Sequence, residues 1–93
     1  MKRIEIITNR SVQEDILQGL ETNIEDFSYT IIPIVHGKGK DNYRLGTSIW
    51  PEENCIIITY LDDWTVPDAE QAVMAVKTKH PGEGIKLFIV PAS

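Results

Sequence analysis

Two glycines alternate with two lysines at Gly37-Lys38-Gly39-Lys40, directly behind an apolar run that ends in Val35-His36. Glycine lets backbone N–H groups come close to a ligand, and lysine adds positive charge. The chemistry this combination suits is capture of a phosphate or another small anion. A second glycine turn, Gly82-Glu83-Gly84, precedes the last apolar run, with Lys86 just beyond it. It suits a ligand-facing turn. His36 and Cys55 form a different candidate. They bracket the polar stretch from Gly37 to Asn54, and a hairpin would bring them to its mouth. An imidazole and a thiolate there would start a transition-metal site, with His80 or Asp62 as a third ligand. Plainer readings stand beside each: a solvated hairpin exit, a helix stop, and a buried cysteine acting as a small apolar residue. No Ser–His–Asp or Cys–His arrangement is evident, and no carboxylate pair has a reason for opposed pKa values. The expectation is a binding protein, not an enzyme.

These residues need elements to hold them. Ile4 to Thr8 is short, β-branched and partly alternating, and predicts a strand. Ser11-Val12-Gln13-Glu14 has the form of a capping box. Val12, Ile16, Leu17, Leu20 and Ile24 then follow at helical spacing, with Asn23 as a stop. Phe27 to Val35 predicts a second strand. Phe27, Tyr29, Ile31, Pro33 and Val35 share one face in that reading, and Pro33, which has no N–H, points to a sheet edge. The stretch from Gly37 to Asn54 is long for a hairpin connection. Cys55 to Leu61 is almost continuously apolar, as in a central strand buried on both faces. Thr65 is placed to cap a second helix, with Pro67 in its first turn and Ala69, Ala72, Val73 and Val76 on its inner face. Pro81 and Gly82 end it, and Ile85 to Pro91 is the last strand.

The order is βαββαβ, which predicts an α+β, ferredoxin-like plait: a four-stranded antiparallel sheet with two helices on one face. The other face has no helix, yet the second and third strands are apolar on both sides. Symmetric self-association is the usual cover for such a face.

On the residues Ile34-Val35-His36-Gly37-Lys38-Gly39-Lys40 and Thr78 to Ile89, the chain resembles the P-II nitrogen-regulatory proteins and their P-II-like relatives. The first stretch is similar to the family's entry into its T-loop. The second is similar to its B-loop and last strand, and Met1 to Glu5 is similar to its opening. The resemblance implies a homotrimer with the sheets turned inward and a regulatory role. It implies an adenine nucleotide (ATP, ADP or AMP) as effector between subunits, and a target protein such as a transporter or enzyme. Carried over, Gly37, Gly39 and Lys40 stand at the T-loop base, with Lys38 between them, and Gly82, Glu83 and Gly84 form the B-loop. The chain departs from the pattern after Gly84: Ile85 holds the family's basic position, and Lys86 comes one place later. The family's C-terminal arginines have no counterpart. A second resemblance is to the divalent-ion-tolerance CutA family, which shares the trimeric plait and implies a metal-responsive role.

Composition bounds these readings. Ninety-three residues make one domain, 1–93. A net charge of −5 disfavours nonspecific nucleic-acid binding. Cys55 is the only cysteine, so no intramolecular disulfide exists and a reducing compartment fits. No apolar stretch is long enough for a signal sequence or a membrane span, and the expected location is the cytoplasm.

Overall fold

The computed structural model describes residues 1–38, 43–44 and 53–93. Lys2–Asn9 forms β1, and a 3-10 turn over Arg10–Val12 leads into α1, Gln13–Asn23. Strand β2 is Thr30–Val35. Two short strands follow, β3 at Gly37–Lys38 and β4 at Tyr43–Arg44. Strand β5 is Asn54–Leu61, α2 is Val66–Lys79, and β6 is Ile85–Pro91. The main sheet is antiparallel in the order β2-β5-β1-β6, with both helices on one face. The ferredoxin-like plait predicted from the sequence is therefore the observed fold.

Alternation divides each strand between two environments. On the helix-covered face, Ile4, Ile6 and Ile57 are fully buried, and Thr8, Thr59 and Ile85 lie beside them. Every residue of the α1 stripe is buried, and so are Ala69, Ala72, Val73 and Val76 of α2. Phe27, Ile31 and Leu87 close the rim of this core. Thr59 avoids an unmet hydroxyl by donating from Oγ1 to the Ser28 carbonyl at 2.7 Å.

Several local expectations are corrected. The residue that caps the first helical turn is Asn9, not Ser11. The Asn9 Oδ1 accepts from the Ser11 backbone N–H at 2.9 Å, and the chain runs through the 3-10 turn before α1 begins. Asn9 already has the extended backbone an N-cap needs, because it is the last residue of β1. Thr65 precedes α2 but makes no side-chain cap, since its own backbone is helical (φ −89°, ψ −19°). Strand β2 begins at Thr30, three residues after Phe27, and Phe27 instead stacks on Tyr29 with ring centroids 5.6 Å apart.

Pro33 does lie on an edge strand, but it sits in a bulge. Ile32 pairs with Ile56 and Val35 pairs with Asn54, so β2 spends one more residue than β5 between those pairs. The extra residue reverses the side-chain parity. Val35 ends on the same face as Ile32, not with Ile31 as strict alternation requires. Strand β5 is central, yet only one of its faces is dry. Cys55, Ile57, Thr59 and Leu61 are buried, while Ile56 and Ile58 are half-buried and Tyr60 is exposed. The polar stretch behind β2 also contains regular pairing: Gly37 opposes Arg44 and Lys38 opposes Tyr43.

Candidate functional site

Four chain segments converge at one end of the sheet. There β2 ends in Val35-His36, β5 begins after Glu53, β1 ends in Asn9-Arg10, and β6 begins after Gly84. Backbone hydrogen bonds tie three of them together. The Arg10 N–H donates to the Glu53 carbonyl at 2.9 Å, and the Asn9 N–H donates to the Gly84 carbonyl at 3.1 Å. The glycine turn is fixed from its other side too, because the Glu83 N–H donates to the His80 carbonyl at 3.1 Å.

Side chains repeat this convergence. Arg10 Nη1 donates to Glu53 Oε1 at 2.9 Å, and His36 Nε2 lies 3.6 Å from Glu53 Oε2. One carboxylate thus stands between a guanidinium and an imidazole. All three side chains keep contact with solvent, with Glu53 the least exposed at 29%. Nearby, His80 Nε2 pairs with Asp15 Oδ2 at 2.8 Å, joining the C-cap of α2 to the first turn of α1. Sequence reasoning did not single out Arg10 or Glu53 as functional residues. They are 43 positions apart, and only the β1–β5 register brings them together.

The anion-binding candidates divide into four groups. Gly37 and the turn Gly82-Glu83-Gly84 lie at this end of the sheet. Lys38 belongs to β3, opposite Tyr43. Gly39 and Lys40 lie outside the described residues. Lys86 opposes Ile7 and follows buried Ile85, so it stands on the helix-free face, as a one-place shift along a strand dictates. The two glycine segments do not meet within a protomer. Strands β2 and β6 are opposite edges of the sheet, three spacings or about 14 Å apart.

Among the described residues, the packing of the protomer requires neither Gly37 nor Gly82. A Cβ at either position would meet nothing within 4 Å, and neither adopts a left-handed φ.

The two metal candidates occupy different environments. His36 is exposed beside Glu53, whereas Cys55 is fully buried on the helix-covered face. Burial pushes the Cys55 thiol above its ordinary range, and the charge of Arg10 only partly opposes this. The thiolate that a metal needs is disfavoured there. His80, the suggested third ligand, is engaged with Asp15. Among the described residues, no group of three His, Cys, Asp or Glu side chains is placed to hold a metal ion.

A groove of about 470 Å³ runs between α1 and β2, lined by Glu14, Leu17, Glu21, Tyr29 and Ile31 among others. Its carboxylates repel anions, and it lies on the helix layer away from the glycine segments. The groove does not suit an anion. Among the described residues, no helix is long and apolar enough to cross a membrane.

No protein-family model matches the sequence, and no curated protein matches it. Structure comparison finds what sequence comparison does not. The fold is similar to that of CPII from Thiomonas intermedia K12 bound to ADP and bicarbonate. That match has a TM-score of 0.71 and 19% identity, and covers 96% of this chain and 84% of that one. It is similar also to a second structure of CPII, a nitrogen regulatory PII-like protein, bound to ADP, AMP and bicarbonate. Here the TM-score is 0.70 and the identity 18%, with 96% and 84% coverage. At such identities the likeness shows the fold alone: the chain shares the plait of these CPII structures.

Proposed function

We propose that this chain, built on the P-II-like plait, is a cytoplasmic regulatory protein that binds a small anionic effector between the subunits of a homotrimer. An adenine nucleotide is the foremost candidate, in keeping with the ADP and AMP held by the similar structures. The observation that carries the reading is the placement of the two glycine segments. They stand at one end of the sheet, on opposite edges, and a Cβ at Gly37 or Gly82 would meet none of the described residues. A ring in which the β2 edge of one subunit meets the β6 edge of the next joins them into one cleft. Such a head-to-tail contact closes when the rotation is right. It would also cover the helix-free face, where Ile32, Tyr60, Phe88 and Val90 are exposed.

The role is binding and not catalysis. Effector capture would shift the population of conformations of the segment 37–54, and a transporter or enzyme would read that shift. Calorimetry with ATP, ADP and AMP on wild type, Gly37→Ala and Gly82→Ala tests the reading. The two variants melt no lower than wild type, because the added methyl meets open space. Their nucleotide affinity falls at least about tenfold, because the methyl intrudes on the ligand. No binding by a folded, trimeric wild type at millimolar nucleotide overturns the nucleotide reading. A soluble wild-type monomer overturns the shared cleft.

A further inference from the structure

We infer that the Glu53 carboxylate is an internal plug in an oxyanion site made by Arg10 and His36. The inference rests on the reading of this sheet end as the ligand-binding end, and deepens it by naming the groups that meet the anion. Arg10 Nη1 grips one oxygen of Glu53 at 2.9 Å, and His36 Nε2 stands 3.6 Å from the other. A pair of nitrogens straddling the two oxygens of one carboxylate is a receptor for a carboxylate-like or phosphate-like group. At present the chain supplies that group itself.

Three features make the plug displaceable. The Arg10 and Glu53 side chains are 43% and 29% exposed, so an incoming anion reaches them from water. An exposed pair of this kind holds by no more than about fivefold in its equilibrium constant, which a dianion with stronger charge can exceed. The Arg10 backbone does not depend on the side-chain pair, because its N–H is held separately by the Glu53 carbonyl at 2.9 Å. The guanidinium can therefore change partners while the sheet end keeps its form.

The arrangement also gives the anion something to move. Glu53 lies immediately before β5, and His36 immediately after β2, so the carboxylate bridges the two roots of the segment between them. An anion that takes Arg10 and His36 frees the Glu53 side chain and removes its link to His36, while Val35 stays paired with Asn54. The site thereby couples occupancy to the side-chain link between residues 36 and 53 without any rearrangement of the core.

Inorganic phosphate and ADP, titrated by calorimetry into wild type, Glu53→Gln and Arg10→Gln, test this. Glu53→Gln keeps an oxygen for Arg10 but removes the competing charge. It should bind phosphate about fivefold tighter than wild type, and Arg10→Gln should bind it at least about fivefold weaker. Melting temperatures of the variants confirm that each is folded, and Arg10→Lys, which keeps the charge, should recover part of the loss. ADP bound equally by wild type and Glu53→Gln, with phosphate unchanged, overturns the plug and leaves the nucleotide reading standing. Phosphate bound tighter by Glu53→Gln, with ADP bound by neither, supports the plug and removes the nucleotide. No phosphate binding by folded Glu53→Gln overturns the plug outright.

Discussion

The two faces of the one sheet are made of similar residues and meet opposite fates. On the helix-covered face, Ile4, Ile6 and Ile57 are wholly buried. On the other, Ile32 is 42% exposed, Phe88 46% and Tyr60 52%. Helix propensity does not explain this, since both helices pack on the same side. The β-strands alone carry apolar side chains in both directions, and only the direction met by α1 and α2 becomes core. The difference teaches that the covered face fixes the fold of the protomer and that the bare face is material for assembly.

The largest expected effect comes from breaking that contrast at adjacent residues of β5. Ile57→Ala removes a fully buried side chain beneath both helices. It should cost about 2–5 kcal/mol in denaturant unfolding, because a cavity is left in a packed core. Ile58→Asp, one residue along and on the bare face, should leave the unfolding of the isolated protomer within about 1 kcal/mol of wild type. Its effect belongs to assembly: light scattering should show the wild-type oligomer reduced to protomers, since the charge would be buried against a neighbour. A wild type already monomeric would remove the contrast, and an Ile58→Asp protein as unstable as Ile57→Ala would reverse it.

The bare face is not uniformly apolar, and its polar members sharpen the comparison at lower energy. Arg3 and Glu5 lie on it as a pair at 3.0 Å, and Arg3 Nη1 donates to the Tyr60 hydroxyl at 3.1 Å. The hydrogen bond to Tyr60, with Glu5 in support, raises the Arg3 pKa further above its ordinary value, so Arg3 is charged at every accessible pH. At the sheet end, the capping residue gives a cleaner measure. Asn9→Ala should lose about 1 kcal/mol, because Asn9 Oδ1 meets the Ser11 N–H. Ser11→Ala should change stability by less than about 0.5 kcal/mol. Thermal melts of the two variants separate these outcomes, and equal losses would restore the sequence-based capping box.

That pair of residues shows where the sequence was legible and where it was not. Element order, both helical stripes, the edge position of Pro33 and the span of β6 follow from periodicity and from proline's missing N–H, which are local properties. The choice of Asn9 over Ser11 is not local. Both are good caps, and the winner is decided by how the chain leaves β1 in a paired sheet. The bulge at Pro33 is similar: the sequence marks the edge, but the slip in parity appears only when Val35 is paired with Asn54. The candidate site divides in the same way. Glycine type and position pointed to the sheet end where the four chain segments converge. The Arg10–Glu53–His36 cluster depended on three strands arriving together, and no spacing along the chain reports that.

The smallest effect concerns Cys55, which lies on the covered face within reach of Arg10's field. Burial raises the thiol pKa in the folded chain above the unfolded value, near 8.5 for a free cysteine. Between those two values the unfolded chain has released the proton and the folded chain still holds it. The folded state then binds more protons, so stability falls as pH rises. The contribution is complete below about pH 8.5 and is lost as pH climbs through the folded value. Cys55→Ala lacks this dependence. Denaturant midpoints of wild type and Cys55→Ala, followed from pH 7 to pH 10, should therefore converge or cross on the alkaline side, after correction for the change common to both. The native thiol should also react with a disulfide reagent far more slowly than the unfolded one, as a protonated group buried on the covered face must. Rapid labelling of the folded protein would mean that Cys55 reaches solvent, and that the covered face opens at the very end where the ligand is proposed to bind.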